Sequence, residues 1–384
     1  AARAAAAAGL EVYSEPELAW RLRPADGPRW LAVTGTNGKT TTVTMLAAIL
    51  AAAGRRTAAL GNIGVPLVEA AADPGYDVLA VELSSFQLHW SRLLAPHAGA
   101  LLNLADDHLD WHGSFAAYAR AKAAIWRSAA GSGVAVGNVD DPRVADLLAR
   151  VPGDRIGVTL GEPDPAGGRM CGVVDGMLVE AAPCGAPVPL VEAAAVRPAG
   201  RHNVANALHA AALARADGVP AEAVAAGLRG YRPEPHRNAE VAVVGGVRYV
   251  DDSKATNPHA AAASLTSYPR VVWVAGGQLK GVDVAPLVAA VADRLAGAVL
   301  LGADRAQIAH ALRRHAPGLP VVEVASVHDG AMDEVVRAAA AIAAPGDTVL
   351  LAPAAASKDM YSGYPARGRA FAAAVARLGA GPRP

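Results

Sequence analysis

Trp30-Leu31-Ala32-Val33-Thr34-Gly35-Thr36-Asn37-Gly38-Lys39-Thr40-Thr41 is the stretch on which the fold turns. Trp30 to Thr34 run without polar alternation, as expected of a strand buried on both faces in a parallel sheet. A glycine-rich turn follows and opens onto an apolar helix, expected over Thr42 to Ala53. Strand, glycine turn and helix N-terminus in that order aim backbone N–H groups at phosphate. Lys39 supplies a point charge to the outer phosphate oxygens, and the Thr40 hydroxyl suits Mg²⁺. Gly35, Thr36, Asn37, Gly38, Lys39, Thr40 and Thr41 are therefore the candidate ATP phosphate cradle. Counted from Gly35 the spacing is one residue shorter than the general pattern, and the plain alternative is an ordinary strand-turn-helix.

Outward from this point, buried-type strands alternate with Ala-rich helices, the signature of parallel sheets with crossover helices. Further strands are expected at Val78 to Leu83, Ala98 to Leu102, Val134 to Gly137, Tyr249 to Asp251, Val271 to Ala275, Ala298 to Leu301 and Thr348 to Ala352. The Gly/Pro-rich stretch from about Pro152 to Pro198 reads as a small irregular β insertion. Tyr231 to Pro235, with two prolines in five residues, reads as a linker. The expected fold class is α/β: a central P-loop ATPase-type domain with a mostly parallel sheet at 28–233, then a Rossmann-like α/β domain at 234–384.

Composition narrows the function. Thirty-five basic and 35 acidic residues cancel, so the positive field that non-specific nucleic-acid binding needs is missing. No apolar run reaches the roughly 18 residues of a membrane helix, and Ala1 to Leu10 contain Arg3 and lack a cleavage-like sequel. The two cysteines, Cys171 and Cys184, form no CxxC pair and read as loop thiols in a reducing cytosol. A soluble cytoplasmic protein is expected, with neither nucleic acid nor membrane as partner. Of the 35 basic side chains five are lysines, at 39, 122, 254, 280 and 358. A position that keeps Lys where Arg is the default cation is a candidate for a point charge or a nucleophilic amine.

Further candidates lie at strand ends. Glu82 closes its strand beside the phosphate turn, where a Mg²⁺ ligand belongs, although a lone Glu there could equally be a salt-bridged rim residue. Asn103 to His112 carry three carboxylates and two imidazoles on a loop; spacing leaves His108 open as ligand, base or bystander. Lys122 shares a helix face with Tyr118 and taken alone is a surface lysine. In the second domain, Asp251 to Pro258 and Gly276 to Asp283 place polar residues at two strand ends, where open α/β sheets bind ligands.

In this order the motifs resemble the Mur ligase family. GTNGKTT from Gly35 is shared with folylpolyglutamate synthetases. GNIGVPL from Gly61, ELSSFQL from Glu82, DDHLDWH from Asp106 and DDSKATNPHAA from Asp251 are similar to its glutamate-adding branch. The resemblance covers about residues 30 to 384. It implies that D-glutamate is added to UDP-N-acetylmuramoyl-L-alanine through an acyl phosphate, at the expense of ATP and by a monomer, in peptidoglycan precursor synthesis. It implies that Lys39, Thr40 and the loop amides bind the ATP phosphates, with Glu82 and Thr40 on one Mg²⁺. His108 and Lys122 would serve a second Mg²⁺, Lys122 as a carbamate. Asn203, Asn206, Arg237, Asp252 and Lys254 would contact the nucleotide, and Asn62, Ser84 and Gln87 the muramoyl-alanine. Thr256, Lys280, Ser357 and Tyr364 would hold the incoming glutamate. Lys39, His108, Lys122 and Lys254 are the implied catalytic set, and domain closure is expected to assemble the site.

In the family a whole N-terminal domain grips the uridine diphosphate. Residues 1–27 resemble its last helix and linker, and with no initiator Met the chain reads as a fragment that binds nucleotide-sugar weakly. Lys358 stands where the family pattern has an uncharged residue, and a solvent-facing side chain is expected. The alternatives are a sister ligase acting on another amino acid or on folate, and a non-catalytic ATP-binding module.

Overall fold

The computed structural model describes residue 5 and residues 8–233, 235–326 and 330–379; the side chains of Asp110 and Pro165 lie outside that description. The chain divides into two compact units, Ala1–Arg197 with His202–Arg232, and Pro198–Arg201 with Pro233–Pro384. Both are α/β units built on mixed sheets.

The first unit holds nine strands: β1 (Arg29–Thr34), β2 (Thr57–Gly61), β3 (Val78–Glu82), β4 (Ala98–Leu101), β5 (Val134–Asn138), β6 (Asp154–Val158), β7 (Arg169–Val174), β8 (Met177–Ala181) and β9 (Val188–Glu192). Their spatial order is β2-β3-β1-β4-β5-β6-β7-β8-β9. From β2 through β7 neighbours are parallel, and β7 to β9 are antiparallel. β1 is buried along its length after Arg29. Its residues alternate between two cores: Leu31 and Val33 pack on one face, Trp30 and Ala32 on the other. Covering both faces explains the unbroken apolar run. The helix Lys39–Ala52 packs against Ala221–Gly230, and a Cβ on Gly227 would come within 2.4 Å of the Ile49 Cα. That close approach requires glycine.

The stretch after Pro152 departs from the expected insertion, because β7, β8 and β9 extend the same sheet. Asp175 and Gly176 join β7 to β8 with φ of 48° and 75°, the two-residue turn whose twist suits a tight hairpin. Cys171 is correspondingly a strand residue, buried, and burial pushes its thiol up to about 12; Cys184 is exposed.

The second unit holds β10 (Ala239–Val244), β11 (Val247–Asp251), β12 (Val271–Gly276), β13 (Leu295–Leu301), β14 (Val321–Glu323) and β15 (Thr348–Leu351), ordered β10-β11-β15-β12-β13-β14. The β10–β11 hairpin is antiparallel and the remaining pairs are parallel. The C-terminal ends of β11, β15 and β12 therefore lie side by side, and the polar segments follow them. Among the described residues no helix is long and apolar enough to cross a membrane.

Candidate active site

In the first unit the turn after β1 meets the ends of β3 and β4. Gly38, at φ 84°, is the residue before the helix Lys39–Ala52. A Cβ there would stand 2.4 Å from the Asn206 Oδ1, so glycine is needed both for the left-handed backbone and for the approach of that asparagine. Asn203 and Asn206 are buried on the helix Arg201–Ala216, where Asn206 Nδ2 donates to Asn203 Oδ1 at 3.2 Å. The Lys39 ammonium curls over its own turn, donating to the carbonyls of Gly35 (3.0 Å) and Thr36 (2.9 Å).

The turn is zipped to the segment after β4. Thr36 N donates to Asn103 O (3.0 Å) and Asn37 N to Asn103 Oδ1 (2.9 Å), while Asn103 Nδ2 returns to Asn37 O (3.1 Å). The amides of Thr36 and Asn37 are thus directed at Asn103 rather than at a phosphate, which corrects the expectation for those two loop amides. Thr36 Oγ1 lies 2.8 Å from the buried Tyr118 hydroxyl, whose pKa burial raises.

Thr40 Oγ1 donates to Glu82 Oε2 at 2.6 Å, and Asn62 Nδ2 to Glu82 Oε1 at 2.9 Å. Glu82 is buried at the end of β3 and Asn62 is exposed. A carboxylate and a hydroxyl oxygen held together at the mouth of the Gly35–Lys39 turn are the hard-oxygen donors that Mg²⁺ takes. These residues fit that ion. Among the described residues, no three His, Cys, Asp or Glu side chains gather as a metal cluster.

Lys122 is buried on the helix Phe115–Ala123, against its reading as a surface lysine. Its Nζ donates to Gly35 O (2.7 Å) and to Thr34 Oγ1 (3.4 Å), and lies 5.0 Å from the Tyr118 ring centre. Burial, then the Lys39 ammonium on the same carbonyl, pushes its pKa well below the ordinary lysine value, against the pull of Asp107 and Glu82. His108 sits at φ 52°, half-exposed, 3.5 Å from Asp107 Oδ2 and ring to ring with Phe86 at 4.7 Å. Ser84 and Gln87 form a reciprocal capping box on the helix Ser85–His89. Local capping thus accounts for both residues as well as substrate contact would.

In the second unit, Lys254 Nζ lies 4.2 Å over the Tyr364 ring. Asp252 is buried, accepts from Asn238 N (3.1 Å) and from the Ser264 hydroxyl, and burial pushes its pKa up to about 6 despite Arg237 nearby. Ala354 N donates to Ala255 O (2.9 Å), tying the segment after β15 to that of Thr256. Gln278 and Ala356 form an antiparallel bridge, so the loops bearing exposed Lys280 (φ 56°) and buried Ser357 are joined. Lys358 is exposed, as expected.

At the centre of these loops lies a residue missed in the sequence. Arg367, 1% exposed, donates from Nε to Ser253 Oγ (3.0 Å), from Nη2 to Ser253 O (2.9 Å) and Ala355 O (3.1 Å), and from Nη1 to Gly276 O (3.2 Å) and Ala355 O (3.1 Å). One guanidinium thereby joins the ends of β11, β12 and β15, and burial lowers its pKa to about 10. The signal was its spacing: Arg367 falls on the buried stripe with Phe371, Ala374 and Val375.

Comparison with known proteins identifies the family. Residues 33–214 match the Mur ligase middle domain, and residues 236–355 the Mur ligase glutamate ligase domain. The chain is 57% identical over 385 residues to the UDP-N-acetylmuramoylalanine--D-glutamate ligase of Thermobifida fusca (strain YX), spanning 98% of this chain and 81% of that protein. It is 51% identical over 407 residues to the enzyme of that name from Mycolicibacterium smegmatis, spanning 97% and 81%. Among solved structures, the MurF ligase of Thermotoga maritima in complex with ADP shares the fold with a TM-score of 0.67 at 18% identity, over 95% of this chain and 84% of that one. A pseudomurein peptide ligase type C from Methanothermus fervidus does so with a TM-score of 0.67 at 17% identity, over 91% and 79%. The matches to both family domains, together with sustained identity along nearly the whole chain, establish that this protein belongs to the Mur ligase family.

Proposed function

We infer that this chain joins D-glutamate to UDP-N-acetylmuramoyl-L-alanine in an ATP-dependent, amide-forming reaction of peptidoglycan precursor synthesis. The observation that carries the reading is 57% identity over 98% of the chain to a relative bearing that activity's name. We assign 28–233 as a P-loop ATPase-type domain and 234–384 as a Rossmann-like, glutamate-holding domain, acting in the cytoplasm.

A carboxylate resists amines because its oxygen is a poor leaving group. The γ-phosphoryl of ATP therefore moves first to the alanyl carboxylate, giving an acyl phosphate. The neutral amine of glutamate adds to the acyl carbon, and phosphate leaves with the bonding electrons and takes up the proton that nitrogen gives up as the amide forms. Lys39 swings from its own turn to the phosphates and offsets their charge. Glu82 and Thr40 are the ligands for Mg²⁺, which when bound supplies charge neutralisation on the transferred group. His108 and Lys122 are assigned to a second ion. Burial shifts the Lys122 amine toward its neutral form, the form that adds to CO₂ and releases a proton to become a carbamate. Asn203, Asn206, Arg237, Asp252 and Lys254 are assigned to the nucleotide, and Asn62, Ser84 and Gln87 to the muramoyl-alanine. Thr256, Lys280, Ser357 and Tyr364 are assigned to glutamate, the Lys280 ammonium pairing with a carboxylate.

ADP release is the test, with ATP, Mg²⁺, UDP-N-acetylmuramoyl-L-alanine and D-glutamate each omitted in turn and L-glutamate run in parallel. Release is expected with both acceptors present and D-glutamate as the amine. Release indifferent to either acceptor would refute the assignment.

A further inference from the structure

The segment Asn138-Val139-Asp140-Asp141, at the end of β5, lies outside every role assigned above. Its side chains nonetheless reach the backbone on both sides of Asn103, the residue that clamps the phosphate turn. Asn138 Nδ2 donates to Leu102 O at 3.0 Å, and Asp141 Oδ2 accepts from Leu104 N at 2.8 Å. Asn103 is therefore pinned one residue before and one residue after itself. The other Asp141 oxygen accepts from Arg143 N (2.9 Å) and Val144 N (3.3 Å), capping the helix Pro142–Ala149. Asp140 faces elsewhere, accepting from Thr159 Oγ1 (2.6 Å) and Leu160 N (2.7 Å), while its own N donates to Asn138 Oδ1 (3.0 Å). Val139 N donates to Val158 O of β6 (2.9 Å), so the segment's backbone is held by β6 and by its own helix before it touches the 102–104 backbone.

We propose that Asn138 and Asp141 are positioning residues for nucleotide binding: they hold Asn103 in the place from which it fixes the Thr36–Asn37 half of the phosphate turn. Neither touches the nucleotide. Their effect passes through two peptide groups to Asn103, and through its amide to the N–H and C=O of Asn37. Without them the turn loses the fixed clamp that organises the start of the helix Lys39–Ala52, and the nucleotide must order the turn as it binds. The inference rests on the reading of that turn as an ATP site.

Asp141→Asn separates this role from simple stability, because asparagine still caps a helix but presents an NH₂ group where the Leu104 N–H needs an acceptor. The probe is ADP with Mg²⁺, titrated calorimetrically into the full chain. Asp141→Asn is expected to weaken ADP about tenfold, and Asn103→Ala by a similar factor, with the double variant no weaker than Asn103→Ala alone. Asn138→Ala, which releases the Leu102 carbonyl and leaves the helix cap alone, carries the same expectation. Asp140→Asn loses one acceptor in the same segment without a link to Leu104, and is expected to keep ADP affinity. Unchanged affinity in Asp141→Asn, an equal loss in Asp140→Asn, or additive losses in the double variant would each overturn the proposal. A parent chain that fails to bind ADP would refute the nucleotide reading itself, and the positioning role with it.

Discussion

Lys122 shows how one side chain's surroundings select its chemistry. Its ammonium shares the Gly35 carbonyl with Lys39 and has little access to water, so the neutral amine is favoured. Arginine cannot shed its proton in a protein and cannot form a carbamate. Lys122→Arg is therefore expected to lower turnover by roughly a hundredfold or more, with ADP affinity within about threefold of the parent, since arginine still carries N–H donors for the Gly35 carbonyl. Steady-state ADP release and an ADP titration on the same preparation check this. Full turnover in the arginine variant would remove the carbamate. In the sequence, apart from the family resemblance, the scarcity of lysine pointed to this position. Burial of an amine against Thr34, Gly35 and Tyr118 is set by β1 and the helix Phe115–Ala123 packing together, which local spacing cannot show.

At the scale of elements, the strands were readable where an element is covered on both faces, as for β1, β3 and β12, because a short, unbroken, β-branched apolar run suits a strand with no solvent-facing side. Reading was poorer where one local feature hid another. Gly and Pro around β7 to β9 masked a sheet extension although the Asp175-Gly176 turn was in plain view. Arg367 was lost inside an Ala-rich helix because its partners are carbonyls from three distant loops. The helix Glu15–Leu22 is tied down in the same unheralded way. Glu17, fully buried, accepts from the amides of Arg92 (3.0 Å), Leu93 (3.0 and 3.1 Å) and Leu94 (3.0 Å), and from Arg21 Nε (3.0 Å). Burial alone would raise its pKa, yet those donors hold it below the usual carboxylate range. Glu17→Gln turns one acceptor into a donor facing an N–H and should cost roughly 2–3 kcal/mol. Urea unfolding checks the magnitude, and limited proteolysis around Arg92 to Leu94 checks the place. A loss below about 0.5 kcal/mol would mean that water or a rearranged loop meets those amides equally well.

At the scale of the whole molecule, the two units are expected to respond to acid in opposite senses. In the first, His209 is fully enclosed. Its Nδ1 lies 2.7 Å from Ala205 O, Nε2 has no hydrogen-bond partner among the described residues, and burial lowers the pKa to about 4, which favours the neutral ring. Burial lowers His202 to about 4 as well. Between that value and the unfolded value near 6.5 the unfolded chain binds more protons, so stability rises with pH. Each histidine should withdraw about 2 kcal/mol as pH falls from 7.5 to 5. Burial raises the Asp217 carboxyl, an opposing contribution that the two histidines outweigh. In the second unit Asp252 has the reverse sign. Its folded pKa of about 6 exceeds its ordinary 3.8, so its contribution is present at low pH and lost as pH rises through 6. It should add about 1 kcal/mol to the second unit on going from pH 7.5 to 5. Scanning calorimetry at the two pH values, with Trp273 as the fluorescence reporter of the second unit, should show the first unit melting earlier at pH 5 and the second holding or gaining. His209→Leu should remove about half of the acid loss in the first unit, and Asp252→Asn should flatten the response of the second. Parallel shifts of both transitions in one direction, or full acid loss in His209→Leu, would show that these buried groups do not set the pH response.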